Sequence, residues 1–162
     1  MRLLNAFVLA VAAMSAPAEA LAQGWTGKER PVHMSFRYYM SGPLYEKLAE
    51  EFKPETEAAD PGTLPLLGIH EVDLNGDDVP EYIVRLTDTY FMCNNMGCHH
   101  GVVAVDENGV TRLGYFEYAE LDVSTEKTAG VKDLLVYDNP LNDFAPTVYK
   151  WDNESSEYLR FE

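Results

Sequence analysis

Bases are scarce in this chain: twelve lysines and arginines stand against twenty-seven aspartates and glutamates, giving a net charge of −15 at pH 7. So acidic a surface repels phosphate backbones and anionic headgroups, which argues against nucleic acid and membrane surfaces as partners. Cations or a basic protein surface suit it better. Cysteines number two, and neither directly follows the N-terminal apolar run, so a lipoprotein anchor is excluded. Beyond that run no apolar stretch approaches the roughly twenty residues of a spanning helix, and no membrane insertion is expected. Internal repeats are missing, which excludes a propeller. A glycine-rich phosphate loop, a Gly-x-Ser-x-Gly motif and a Ser-His-Asp order are missing too. Paired carboxylates are too common in such a chain to mark a site.

What is present begins with a leader. Arg2 supplies a positive start, Leu3 to Ala13 form an apolar run, and small residues follow at Ala20-Leu21-Ala22. This is the three-part pattern of a cleavable secretory signal. Residues 1–22 are expected to be removed, leaving Gln23 as the new terminus; Ala16-Pro17-Ala18 is the second choice for that cleavage. Removal takes away Arg2 and Glu19, so the mature charge stays at −15. About 140 residues remain, enough for one domain with its own core. Residues 23–33, polar and containing Gly24, Gly27 and Pro31, read as a flexible leader, and 34–162 as a single domain. The expected location is the periplasm or the external medium. In that oxidising space Cys93 and Cys98 are expected to close a disulfide, since turn-forming residues separate them.

Along the domain, Met34 to Met40 suits a short strand or a lead-in to a helix. Ser41-Gly42-Pro43 is a helix start. Leu44, Leu48 and Phe52 recur at helical spacing, with Glu46, Lys47, Glu50 and Glu51 opposite, so an amphipathic helix follows. Pro54 is expected to stop it, and 53–65 reads as an acidic linker. Strand patterns then succeed one another: 66–72, 81–86, 99–106, 110–118, 133–137, 146–151 and 158–161. Glu107-Asn108-Gly109 is a hairpin turn. The expected fold is α+β and mainly β, an antiparallel meander of about seven short strands with one N-terminal amphipathic helix packed on it. The ten tyrosines are spread over the whole chain, which favours sheet packing over a recognition patch.

The most informative segment is Asp73-Leu74-Asn75-Gly76-Asp77-Asp78-Val79-Pro80-Glu81. A hard cation such as calcium takes about six to eight oxygens at about 2.4 Å, and a tight loop supplies them from alternate positions. Asp73, Asn75, Asp77 and Glu81 fall at positions 1, 3, 5 and 9, with the Val79 carbonyl at 7. The segment resembles the Asp-x-Asn-Gly-Asp loops of integrin-type FG-GAP repeats and other EF-hand-like loops outside helices. It departs from them at position 6, where Asp78 replaces glycine, and at position 12, where Val84 replaces glutamate. The resemblance implies a structural calcium between two strands; an acidic turn without metal is the alternative. A broader resemblance covers residues 66 to about 137, to small exported bacterial proteins that join such a loop to a short Cys…Gly-Cys loop and a later Gly-x-x-Asp-Leu-x-Val strand, here Gly130 to Val136. It implies a fold and no activity.

Cys93-x4-Cys98-His99 also matches a spaced haem-attachment pattern, but its strand-like surroundings favour a disulfide. His99 and His100 are adjacent and would point to opposite faces of a strand, so with His33 and His70 they form a metal site only if the fold gathers them. Export, small size, acidity and the lack of catalytic motifs point to a non-catalytic binding module, held by calcium and one disulfide, for a basic protein or cell-envelope component. Its sharper form is an inhibitor or immunity protein of a cell-wall hydrolase. The alternative is a small exported enzyme whose site is assembled from His99, His100, Asp106 and Glu117.

Overall fold

A computed structural model describes residues 34–87, 92–138 and 145–161. The expected leader, cleavage site and polar segment lie outside them, as does His33. Helix α1, Pro43–Glu51, starts where expected: Gly42 caps it with φ 111° and Pro43 occupies the first turn, where its missing N–H costs nothing. Tyr45, Leu48 and Phe52 are buried on one side. Pro54, however, does not stop the helical path. Phe52 (φ −95°, ψ 10°) is a one-residue joint, and a second helix, α2, runs over Lys53–Ala59. Pro54 sits in the first turn of α2, where proline is as well tolerated as at Pro43. The linker expected at 53–65 is therefore corrected to helix α2 followed by a turn at 60–62.

Among the described residues, nine strands form one antiparallel sheet: β1 Arg37–Tyr39, β2 Leu67–Val72, β3 Glu81–Leu86, β4 Cys93–Asn94, β5 Gly97–Val105, β6 Val110–Thr128, β7 Val131–Tyr137, β8 Thr147–Asp152 and β9 Glu157–Arg160. Their spatial order is β1-β2-β3-β5-β6-β7-β8-β9, with β4 a flap on β5. The fold is α+β, mainly β, and a meander. It exceeds the expected strand count through β1 and β4, each too short to show a period of two. Because β1 precedes α1, the helical segment follows the first strand rather than opening the domain.

Strand β6 shapes the molecule. It was expected to end at Tyr118 but is nineteen residues long. Its first half pairs with β5 and its second half with β7, the change coming at Ala119 and Glu120. Tyr118 takes φ 49° there. Two cores result. In one, Leu67, Ile69, Val84, Leu86 and Val103 meet Tyr45, Leu48 and Phe52 of the helical segment. In the other, Ile83 and Val102, on the reverse face of the same strands, meet Leu121, Val123, Leu134, Val136 and Tyr158. Helices, first half-sheet and second half-sheet are thus stacked in that order, and apolar residues on both faces of β3 and β5 explain their near-continuous hydrophobic runs.

Candidate functional site

The loop between β2 and β3 is closed by the directly paired residues Val72 and Glu81. Asp73 accepts the Gly76 N–H at 2.6 Å, Asn75 Oδ1 the Asp77 N–H at 2.8 Å, and Asp77 Oδ1 the Val79 N–H at 2.8 Å. Glu81 turns inward, where its Oε2 accepts the Leu74 N–H at 2.8 Å. The Asn75 amide then donates to Asp77 Oδ2 at 3.0 Å and to Glu81 Oε1 at 3.1 Å. Asn75, Asp77 and Glu81 are therefore joined side chain to side chain, with amide hydrogens lying between the two carboxylates, while Asp73 turns to the Gly76 N–H. Gly76 and Asp78 supply the left-handed turns, at φ 86° and 67°. Hydrogen bonding, chiefly from Gly76 N–H, holds the Asp73 carboxyl below its ordinary pKa. Burial, reinforced by the charges of Asp77 and Asp73, pushes Glu81 up against the pull of the Leu74 N–H.

The loop is tied to the β6–β7 hairpin. Lys132 Nζ donates to the Asp73 carbonyl at 2.9 Å, and the Lys132 N–H to the Leu74 carbonyl at 2.8 Å. Sequence reasoning missed this clamp, which joins positions 59 apart. Among the described residues, no group of three or more His, Cys, Asp or Glu side chains is placed to hold a metal ion. Val79, whose carbonyl was the fifth expected ligand, is exposed.

Cys93 and Cys98 are joined by a disulfide between directly paired residues of the β4–β5 hairpin, with Cα atoms 4.0 Å apart. Gly97 in that hairpin rests against the backbone of Ala119 so closely that a Cβ would collide with it.

The two adjacent histidines part as a strand requires. His99 faces the helices: its Nδ1 lies 2.7 Å from the Tyr115 hydroxyl, and its ring meets Tyr118 edge-on at 4.4 Å. Burial holds it below its ordinary pKa, with the charges of Glu117 and Glu55 pulling the other way. His100 faces the second half-sheet. Arg85 Nε donates to its Nε2 at 3.0 Å, so its proton sits on Nδ1, 3.1 Å from the Cys98 carbonyl. Burial, then the Arg85 charge, pushes its pKa down to about 3. Arg85 also pairs with Glu120. Asp106 is occupied in the β5–β6 turn, where it accepts the Asn108 and Gly109 N–H groups. Of the four residues of the enzymatic reading, the fold thus associates His99 with Glu117 and sends His100 and Asp106 elsewhere. His70 stands on the His100 side, with its ring 6.1 Å from that of Phe36.

No family model matches the chain, and no curated protein or solved structure is significantly similar to it.

Proposed function

We propose that this chain is an exported, non-catalytic binding module whose acidic surface engages a basic protein or cell-envelope component. One observation carries the reading: four of the bases, Lys47, Arg85, Arg112 and Lys132, are tied to the protein's own groups, while Arg37, Lys53, Lys127 and Arg160 stay exposed among a larger number of acids. Arg112 forks across Glu51 and Glu55, Arg85 holds Glu120 and His100, and Lys47 and Lys132 donate to the carbonyls of Asp106 and Asp73. The excess acid is left outside, on Glu46, Glu57, Asp77, Asp78, Glu107 and Glu117, all exposed. In its sharper form the partner is a basic cell-wall hydrolase, and this chain is its inhibitor or immunity protein. Export after cleavage near Ala22, the Cys93–Cys98 bridge and a structural calcium at Asp73, Asn75, Asp77, Val79 and Glu81 belong to the same reading. Calcium there would replace the amide hydrogens between Asp77 and Glu81, with Asn75 turning its oxygen inward.

The test is a binding titration against a basic lysozyme-type hydrolase at low and high salt, with cell-wall cleavage followed in parallel. Binding that weakens as salt rises, together with reduced cleavage, supports the proposal. Equal indifference at both salt concentrations removes it. A second reading, a small exported enzyme, rests on His99, which touches the Tyr115 hydroxyl and lies within reach of the Glu117 charge.

A further inference from the structure

His100 is fully buried, with 0% of its surface exposed, and both its nitrogens are committed. Nε2 accepts from Arg85, and Nδ1 donates to the Cys98 carbonyl. A second ring proton has only Nε2 to occupy, and there it would point at the Arg85 N–H 3.0 Å away. Two donors and two positive charges would then face each other. Arg85 would have to leave, and Arg85 supports more than His100. Its guanidinium lies 4.4 Å from the Phe36 ring centroid, and that ring is 5.8 Å from the His100 ring. Phe36 immediately precedes β1, an edge strand of only three residues paired on one side to β2. Short edge strands sit at the low end of local stability.

We propose that His100 is the seat of a proton-sensitive latch: Phe36 and β1 stay on the sheet while His100 is neutral and are released when it takes a proton. The groups that act on His100 are Arg85 from β3, His99 beside it on β5, and the carbonyls of Cys98 and Ala119. Glu120 of β6 acts through Arg85, and His70 of β2 lies beyond Phe36. Burial, the Arg85 charge and the His99 charge oppose protonation, while the two carbonyls favour it. The latch therefore opens only in acid. The switching element is named by the packing: once Arg85 withdraws, Phe36 loses the cation on its face, and the segment is left with its β1 ladder bonds, the 3.1 Å contact between His70 Nδ1 and the Ser35 carbonyl, and the packing of Met34 and Phe36 on the core.

The experiment is hydrogen exchange on the whole protein across an acid pH series. Protection factors of residues 34–42 are compared with those of β7, while imidazole NMR reports the His100 titration. Protection at 34–42 should fall by about tenfold relative to β7 as His100 titrates. His100→Gln, which can still accept from Arg85 but takes no charge, should show no such fall. Arg85→Met, which removes the opposing donor and charge, should move the His100 titration upward. Retained protection at 34–42 while His100 titrates overturns the proposal. So does joint loss at 34–42 and β7, which would be global unfolding rather than a latch.

Discussion

Gly101 lies directly beneath the Phe52 ring, and a Cβ there would overlap the ring atoms. Phe52 is itself wholly buried, stacked 6.3 Å from the Tyr115 ring with the Arg112 guanidinium 4.9 Å away. It cannot retreat without moving the joint between α1 and α2. Gly101→Ala should therefore cost about 1–3 kcal/mol, the usual range for overpacking a filled core, seen as a lower urea midpoint with an unchanged m-value. Wild-type stability would show that the ring has room the structure denies it. Tyrosines govern the alkaline side. Tyr158 donates to the Lys132 carbonyl at 2.8 Å, and burial, then the charges of Glu81 and Asp133, push its pKa up. Burial likewise raises Tyr115, and raises Tyr137 to about 12. A folded-state pKa above the unfolded value of about 10 means stability that is complete below pH 10 and lost as pH rises through the folded value. The urea midpoint should fall steadily above about pH 10. Tyr158→Phe should reduce that slope while lowering stability at neutral pH by about 1 kcal/mol for the lost hydrogen bond. An unchanged slope in the variant would assign the alkaline loss to other groups.

Among the elements, the loop from Asp73 to Glu81 carries the densest set of side-chain hydrogen bonds to its own backbone. Its spacing predicts convergence of Asp73, Asn75, Asp77 and Glu81; Asn75, Asp77 and Glu81 meet through side-chain hydrogen bonds, Asp73 turns to the Gly76 N–H, and Asp78 takes a left-handed backbone. Strand β3, Glu81–Leu86, matches the expected bounds, because the turn residues before it and the apolar run itself are local signals. The same locality explains the misses. Pro54 has two meanings, stop or first turn, and only the packing of Thr56 and Phe52 decides between them. The second half of β6 does carry a period of two, with Ala119, Leu121 and Val123 buried between Glu120 and Asp122, but it is out of phase with Phe116 across the bend at Tyr118, so the two halves do not read as one strand. The Lys132 clamp, the Arg112 fork and the Arg85–His100 contact join residues far apart in sequence, and no window along the chain displays them. Calcium remains the sharpest question for this element. If it binds, chelator should lower the melting temperature, and Asp73→Ala or Asp77→Ala should erase the difference between chelator and calcium. Identical melting curves in chelator and in millimolar calcium, about the level at which extracellular sites fill, would leave the Asn75 amide as the sole bridge between Asp77 and Glu81.

At the scale of the whole molecule, the charge of −15 acts on folding as well as on recognition. Like charges on a compact body repel more than on an expanded chain, so the folded state bears the larger penalty. The internal pairs of Arg112 with Glu51 and Glu55 relieve part of it, and their partial burial shields them from salt better than exposed charges are shielded. Added sodium chloride should therefore raise the melting temperature at pH 7, because it weakens the surface repulsion more than the interior attractions. Lowering the pH toward the pI of about 4.5 cancels the same repulsion by another route, yet it should not stabilise to the same degree. His100 is held neutral in the fold, with a pKa near 3 against an ordinary value of 6.5. Stability from that neutral ring is complete above pH 6.5 and is lost as pH falls toward 3. Salt and acid thus act alike on the surface and oppositely in net effect. A thermal melt surface over both variables separates them: a salt-dependent rise at pH 7, and a decline below about pH 6 that His100→Gln flattens. A melting temperature that falls with salt at pH 7 would mean that the ion pairs, rather than the acidic surface, dominate the electrostatics of this fold.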